Sequence, residues 1–315
     1  MLPELGDPAE WGTGLSPEGA RAALELELEL IRAGRTDARG GPRRVLIWCA
    51  GNVFTAALRW VHRFTELGCA VTLKAPSRRP GPCLAIARAY GARCEVLPHA
   101  QAFHLLERAE ALLAFGTDAA MAELESRFAG PKSLHGHRLS VALCDEHSDP
   151  RALALDLALH DGAGCLSPTV VFAPEPEVLA RSLARELSRL AVELPRGPLA
   201  PAEGPLWRRR TGLARVTGSC LEGPDWAVCV LPRERFAPLA LPRLVTVHPG
   251  LPTGLVEGLA LSTLAAPVSV LSCHEDLWRG RLGFARGCLI GDMQRPACDD
   301  SWEGVDVISK LLEDP

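Results

Sequence analysis

The residues best placed to do covalent chemistry sit in DGAGCLSP, Asp161 to Pro168, where Cys165 falls between a helix-like stretch and an apolar run. A cysteine thiolate can attack a thioester carbonyl, exchanging one sulfur for another and releasing a thiol, so that an acyl-enzyme is left on the protein. The tetrahedral oxyanion then needs donors, which an Asn amide and a backbone N–H at the nucleophile can supply. Four further pieces share the position of DGAGCLSP at the ends of strand-like runs: CAGN (Cys49 to Asn52), LKAPS (Leu73 to Ser77), FGTDAA (Phe115 to Ala120) and HGHRLSVAL (His135 to Leu143). Open α/β sheets collect their ligands at such strand ends.

Taken singly, each residue has an ordinary structural reading. Free cysteines are usually small buried hydrophobes, and Cys49, Cys69, Cys144, Cys229 and Cys288 lie in apolar runs that read as core. Asn52 follows Gly51 as a turn or helix N-cap residue would. Lys74 reads as a snorkelling lysine, and the glycine of FGT makes a turn more often than a phosphate cradle and completes no G-x-G-x-x-G. His135 and His137 lack a third ligand at metal spacing and read as loop histidines, so no metal is assigned. The Arg208 to Arg210 run reads as a solvated face.

The elements that must hold these pieces alternate. RVLIWCA (Arg44 to Ala50), AVTLKA (Ala70 to Ala75), CEVLP (Cys94 to Pro98) and ALLAF (Ala111 to Phe115) are strand-like. Between and after them come helical patterns over Val53 to Leu67, Leu84 to Tyr90, Ala102 to Ala109 and Asp118 to Phe128. A second series runs LSVALC (Leu139 to Cys144), helix Pro150 to His160, TVVFAP (Thr169 to Pro174) and helix Glu177 to Leu194. A loop over Pro195 to Pro205 precedes short strands at Ala227 to Leu231, Leu244 to His248 and Val268 to Ser272. The fold class expected is α/β, with mostly parallel sheets covered on both faces. An acidic opening helix containing ALELELELIR is followed by a linker, Gly34 to Pro42.

Over 315 residues, 47% apolar and 23% charged content with a formal net charge of −4 gives the balance of a globular protein with no nucleic-acid partner implied. The eleven cysteines contain no C-x-x-C pair, which points away from a zinc site or disulfide framework and towards a reducing, cytoplasmic setting. The opening MLPELGDPAEW has no secretory pattern. The most apolar long stretch, Thr253 to Cys273, is broken by Glu257 and Pro267, so no membrane span is expected.

The five pieces, in this order from about Arg44 to Phe172, resemble the aldehyde dehydrogenase superfamily. Within it they are similar to the fatty acyl-CoA reductases of bacterial light-producing systems, which carry a similar GCLSP. The likeness resumes at GDMQRPACDDSWEGVD, Gly291 to Asp306. The resemblance implies a Rossmann-type cofactor domain over residues 1–138, N-terminally shortened, a catalytic α/β domain over 139–290 and a C-terminal segment over 291–315. It also implies that Cys165 is the nucleophile, that Asn52 is the oxyanion-stabilising amide, that Lys74 and Ser77 hold the cofactor's adenosine ribose, and that Gly116 and Thr117 meet the pyrophosphate. The cofactor expected is NADPH, or NADH, and the substrate an acyl-CoA or acyl-protein thioester reduced to aldehyde. A homo-oligomer or an acyl-transfer partner protein is a possible assembly. Two departures bear on this. The chain begins roughly a hundred residues later than full-length relatives, which keeps open an inactive homologue acting as a partner or binding subunit. Hydrolytic aldehyde dehydrogenases carry a glutamate just before Gly-Gly-Lys, where this chain reads Ser133, Leu134, His135, Gly136, His137, Arg138. Without a base to activate water, reductive acyl transfer is favoured over aldehyde oxidation.

Overall fold

RVLIW and ALLAF are short apolar runs without alternation, the pattern of strands buried on both faces of a parallel sheet. The computed structural model describes residues 2–34, 43–297 and 301–312 and forms them as such. The order from the start is α1 (Pro17–Ala33), β1 (Arg44–Trp48), α2 (Phe54–Glu66), β2 (Ala70–Ala75), α3 (Gly81–Tyr90), β3 (Arg93–Val96), β4 (Ala111–Phe115), α4 (Asp118–Arg127) and β5 (Lys132–His135). There follow β6 (Leu139–Leu143), α5 (Pro150–Ala158), β7 (Pro168–Ala173), α6 (Pro176–Glu193), α7 (Glu203–Thr217), β8 (Ser219–Glu222), β9 (Ala227–Val230), β10 (Leu244–Pro249), β11 (Leu261–Ala265), α8 (Val268–Cys273) and β12 (Arg286–Cys288). The tail adds β13 (Ser301–Trp302), β14 (Val305–Asp306) and α9 (Val307–Leu312). Of the expected linker, Gly34 caps α1 and the rest lies outside the described residues.

The chain divides into two compact units, residues 1–137 with 297–315, and residues 138–296. The first holds a parallel five-stranded sheet in the order β3-β2-β1-β4-β5. Both neighbours of β1 are reached by crossovers in opposite directions, which opens a crevice at the carboxyl ends of β1 and β4. One face packs Leu46, Trp48, Leu112 and Ala114 against Leu105, Met121, Leu124 and Phe128. Helix boundaries follow local chemistry: Ser16 accepts from the Gly19 N–H at 3.0 Å to start α1 ahead of Pro17, and Gly91, at φ 66°, ends α3 in the left-handed region.

In the second unit the order is β12-β11-β6-β7-β10-β9-β8, parallel except for the β8–β9 pair. β7 sits inside this sheet, and its alternating side chains divide between two cores. Val171 and Ala173 meet Leu153, Leu157 and Leu183, while Val170 and Phe172 meet Val256, Leu264 and Phe284.

Several expectations are corrected. Val268 to Ser272 is helix α8 and not a strand: Pro267 ends the preceding segment and starts the helix, and the strand is the neighbouring Leu261–Ala265. Ala102 to Ala109 winds as a 3₁₀ turn over Phe103–Arg108. α5 stops at Ala158 because His160 and Asp161 take φ 54°. α7 overlaps the loop expected up to Pro205, and on it Arg210 is buried, its guanidinium donating to the Ala237 carbonyl, so the arginine run is not wholly solvated. Cys288 is half-buried, while Cys49, Cys69, Cys144 and Cys229 are core.

His135 is a buried strand residue and not a loop histidine. Its Nδ1 lies 2.9 Å from Glu303 Oε2 and its Nε2 2.9 Å from the Ser133 hydroxyl, so with Nδ1 protonated the ring donates to the carboxylate and accepts from serine. Phe115 stacks on the ring at 5.2 Å. Glu303 and Gly304 carry φ 51° and 78° between β13 and β14, the paired left-handed geometry of a tight hairpin turn. The relay ties that hairpin to β5, and α9 packs behind it on β4 and β5. Glu303→Ala strips the acceptor from a buried imidazole and should destabilise the first unit by on the order of 3 kcal/mol, with Glu303→Gln milder. Urea unfolding followed by tryptophan fluorescence checks this, and an unchanged midpoint for the alanine variant removes the latch.

Candidate functional site

Cys165 lies half-buried in the turn that joins α5 to β7. The chain leaves α5 through His160 and Asp161, both at φ 54°, and Gly162 at φ 69°. It then closes over Cys165 with a Ser167 N–H to Gly164 carbonyl bond of 3.0 Å. Two consecutive non-glycine residues in the left-handed region cost energy, and surrounding bonds must hold them there. Asp161 provides these: its carboxylate accepts from Gly197 N–H at 2.9 Å and Arg243 Nε at 2.8 Å, and its carbonyl accepts from Arg243 N–H at 2.9 Å. Arg243 is itself at φ 50° and also meets Asp225 Oδ2 at 3.2 Å. Burial pushes the Asp161 carboxyl up, against the pull of Arg243, and burial pushes the neighbouring His160 down to about 4.

A second set of bonds reaches the turn. The buried Ser140 hydroxyl, at the start of β6, donates to the Cys165 carbonyl and accepts from Thr263 N–H at 3.1 Å. Gln294 Nε2 donates to the Ser167 hydroxyl at 2.8 Å and to the Asp156 carbonyl at 3.0 Å. The Asp156 carboxylate in turn accepts from Gly291 N–H at 2.7 Å and Met293 N–H at 3.1 Å. GDMQ, Gly291 to Gln294, is thus bolted to α5 and to the turn carrying Cys165. Sequence reading missed Ser140, Asp156, Arg243 and Gln294. The signal for Asp156 was present: it is the one acidic residue in the apolar stretch ALALDLAL.

In the first unit, Asn52, Lys74, Ser77, Gly116 and Thr117 all follow the carboxyl ends of β1, β2 or β4 or close those strands. Asn52 is exposed in the loop after β1, and the residue capping α2 is Val53, so Asn52 is not the N-cap. Lys74 is buried at 4% exposure opposite Trp48, its ammonium 5.0 Å from the Trp48 ring, so it does not snorkel. Burial pushes its pKa down, and no carboxylate pairs with it among the described residues. The exposed Ser77 hydroxyl donates to the Leu97 carbonyl at 3.0 Å. Gly116 donates its N–H to the His135 carbonyl at 3.1 Å, and a Cβ there would meet Met121 Cε at 3.1 Å. Thr117 caps α4, accepting from Ala120 N–H at 3.3 Å. A buried cation without a carboxylate partner, a glycine that keeps the backbone approachable and a helix N-terminus at the crevice fit an anionic dinucleotide.

Residues 98–251 match the family model described as acyl-CoA reductase (LuxC), and over that segment, just under half of the chain, the family is the one the sequence resembles. Among solved structures, an aldehyde dehydrogenase of Physcomitrella patens in complex with succinate superposes with a TM-score of 0.74 at 13% identity, over 98% of this chain and 80% of that one. Glyceraldehyde-3-phosphate dehydrogenase GapN from Methanocaldococcus jannaschii, complexed with NADP, gives 0.68 at 13% identity over 94% and 78%. A lactaldehyde dehydrogenase gives 0.68 at 13% identity over 90% and 73%. No curated protein sequence matches. The α/β fold with parallel sheets is therefore that of aldehyde dehydrogenase structures.

Asp156 makes the second unit's stability depend on pH. Burial raises its carboxyl from an ordinary 3.8 to about 7, outweighing the backbone N–H groups that favour the charge. A carboxyl with a raised folded pKa stabilises most below its unfolded pKa and loses that contribution as pH climbs through the folded one. Between about pH 4 and about pH 7 this group alone withdraws on the order of 4 kcal/mol. Unfolding measured across that window should show wild-type stability falling relative to Asp156→Asn, whose own profile is flatter; parallel profiles would show that Asp156 ionises freely.

Proposed function

Taking this relative of the LuxC acyl-CoA reductases as the premise, we propose that it reduces an acyl-CoA, or acyl-protein, thioester to an aldehyde through an acyl-enzyme on Cys165. The observation carrying this reading is the Cys165 turn, half-buried and braced at the carbonyl of residue 165 and at the side chain of residue 167 by Ser140 and Gln294. A nucleophile held this way loses little freedom when its sulfur meets a carbonyl.

The chain's own steps follow. The Cys165 thiolate adds to the thioester carbonyl, the carbon–sulfur bond to the leaving thiol breaks, and the acyl group stays on Cys165. The Asn52 amide and a backbone N–H at Cys165 stabilise the oxyanion formed in this addition. Lys74, Ser77, Gly116 and Thr117 would hold the nicotinamide cofactor, Lys74 offering a cation to a ribose 2′-phosphate. When bound, the reduced cofactor supplies the hydride that turns the acyl carbonyl into an aldehyde. The stretch Ser133 to Arg138, which resembles the one where hydrolytic relatives carry a glutamate, holds no carboxylate, and the Ser133 hydroxyl within it is buried and turned to His135. The lack of a glutamate there supports reductive acyl transfer over attack by water on the acyl-enzyme.

Mixing the protein with acyl-CoAs of several lengths and no cofactor should add the acyl mass to Cys165 in intact-mass spectra, and NAD(P)H should discharge it as aldehyde. Cys165→Ala should lose labelling and turnover together, and Asn52→Ala should slow acylation on the order of a hundredfold. Wild-type protein left unmodified after long incubation would instead mark a binding subunit without catalysis. Lys74→Ala should weaken NADPH binding more than NADH binding, because a phosphate loses a charge-assisted partner where a ribose hydroxyl loses a neutral one. Equal losses in titration calorimetry would take Lys74 out of the cofactor site.

A further inference from the structure

Away from the Cys165 turn, two thiols face each other across the edge of the second sheet. β8 is the edge strand, and its antiparallel register on β9 sets Cys220 directly opposite Cys229. The hairpin between them closes with a Gly223 N–H to Trp226 carbonyl bond of 3.0 Å, so alternation along the ladder makes Cys220 and Cys229 a non-hydrogen-bonded pair, the closer of the two antiparallel spacings. The two sulfurs lie 3.4 Å apart. Cys229 is fully buried, packed with Ala214, Leu231 and Leu244, while Cys220 is half-buried. The structure therefore combines a thiol that solvent-borne reagents reach with a second, sealed thiol already in contact with it.

We infer that Cys220 and Cys229 are a redox modification site, oxidised to an intrachain disulfide by a peroxide or a small-molecule disulfide and reopened by a small thiol. With a peroxide, the Cys220 thiolate attacks one oxygen, giving Cys220 sulfenic acid and hydroxide. The Cys229 thiolate then attacks the Cys220 sulfur, forming the S–S bond and expelling a second hydroxide. The two thiol protons convert both hydroxides to water, so two electrons pass from the sulfur pair to the peroxide. With a small disulfide, Cys220 first forms the mixed disulfide and releases one thiol, and Cys229 then displaces the other.

The surroundings favour the second step. The two thiols share one hydrogen bond: that contact, burial and Glu222 push the Cys220 thiol up, while the same contact and the guanidinium of Arg210 hold the Cys229 thiol below its ordinary range. Cys220 also lies 3.2 Å from Glu222 Oε1, an acceptor for its proton. Cys49 and Cys83 in the first unit also interact, but both are buried, so neither meets a reagent first.

The inference is independent of Cys165 chemistry and is read separately. Reduced, folded wild-type protein is incubated with oxidised glutathione and, separately, with hydrogen peroxide, alkylated, and mapped by mass spectrometry without reduction. A peptide joining Cys220 to Cys229, lighter by two hydrogen atoms and lost on adding dithiothreitol, is the expected product. Exposed Cys273 serves as the accessible control, forming only the glutathione adduct. In Cys229→Ala, reaction should stop at glutathionylated Cys220; in Cys220→Ser, Cys229 should remain a thiol. The wild-type map decides even if a variant fails to fold. Glutathione left on Cys220 with Cys229 unreacted, or modification of Cys273 with both thiols of the pair untouched, would overturn the assignment.

Discussion

Arg243 reaches the Cys165 turn from the start of β10, binds it twice and is itself held by a third bond outside it. Its backbone N–H meets the Asp161 carbonyl, its Nε meets the Asp161 carboxylate, and its far nitrogen meets Asp225. Asp161 and Arg243 both sit in left-handed conformations that cost each of them on the order of 1 to 3 kcal/mol. A buried guanidinium and carboxylate cost several kcal/mol more to desolvate, and only mutual pairing with full hydrogen bonding offsets this. Removing either partner therefore leaves a charge stranded in the core and releases the strained backbone four residues before the cysteine. The presentation of Cys165 therefore depends on that pair.

Around this pair, buried polar residues of the second unit stitch the sheet to its loops. Ser140, Asp156, Ser167 and Gln294 are each buried, and their bonds fasten the turn, α5, GDMQ and β11 to one another. Apolar packing on the two faces of β7 places the strand; these bonds set the direction in which the chain enters it. In the first unit the division is the same. Apolar strands build the sheet, and Lys74, buried against Trp48, is a charge retained near its carboxyl edge.

The α/β series was legible because each strand of the parallel sheets is an unbroken apolar run and each crossover helix has its own period. RVLIW, AVTLKA, ALLAF and TVVFA all became strands within a residue or two. The start of α7 was hidden by Gly204 and Pro205, which read as loop residues, although its packing against β8 and β9 overrides that propensity. VSVLS was misread because its valines favour strands, whereas in the fold Val268 is exposed on a short helix after Pro267. The strand-end positions of Asn52, Lys74, Ser77, Gly116 and Thr117 could be read from neighbouring pattern. The bonds to Ser140, Gln294 and Glu303 join residues 25 to 168 positions apart, and no local window contains them.

The latch between His135 and Glu303 spans 168 positions, and the whole second unit lies inside that span. On a ribosome, residues 138–296 therefore emerge as an uninterrupted stretch able to collapse on its own, since domains fold as units during synthesis. The first unit, begun earlier, must leave the parts of β4 and β5 that α9 packs on uncovered until the hairpin and α9 arrive. Its completion carries the loop-closure cost of that long separation, so the part synthesised first is the part finished last.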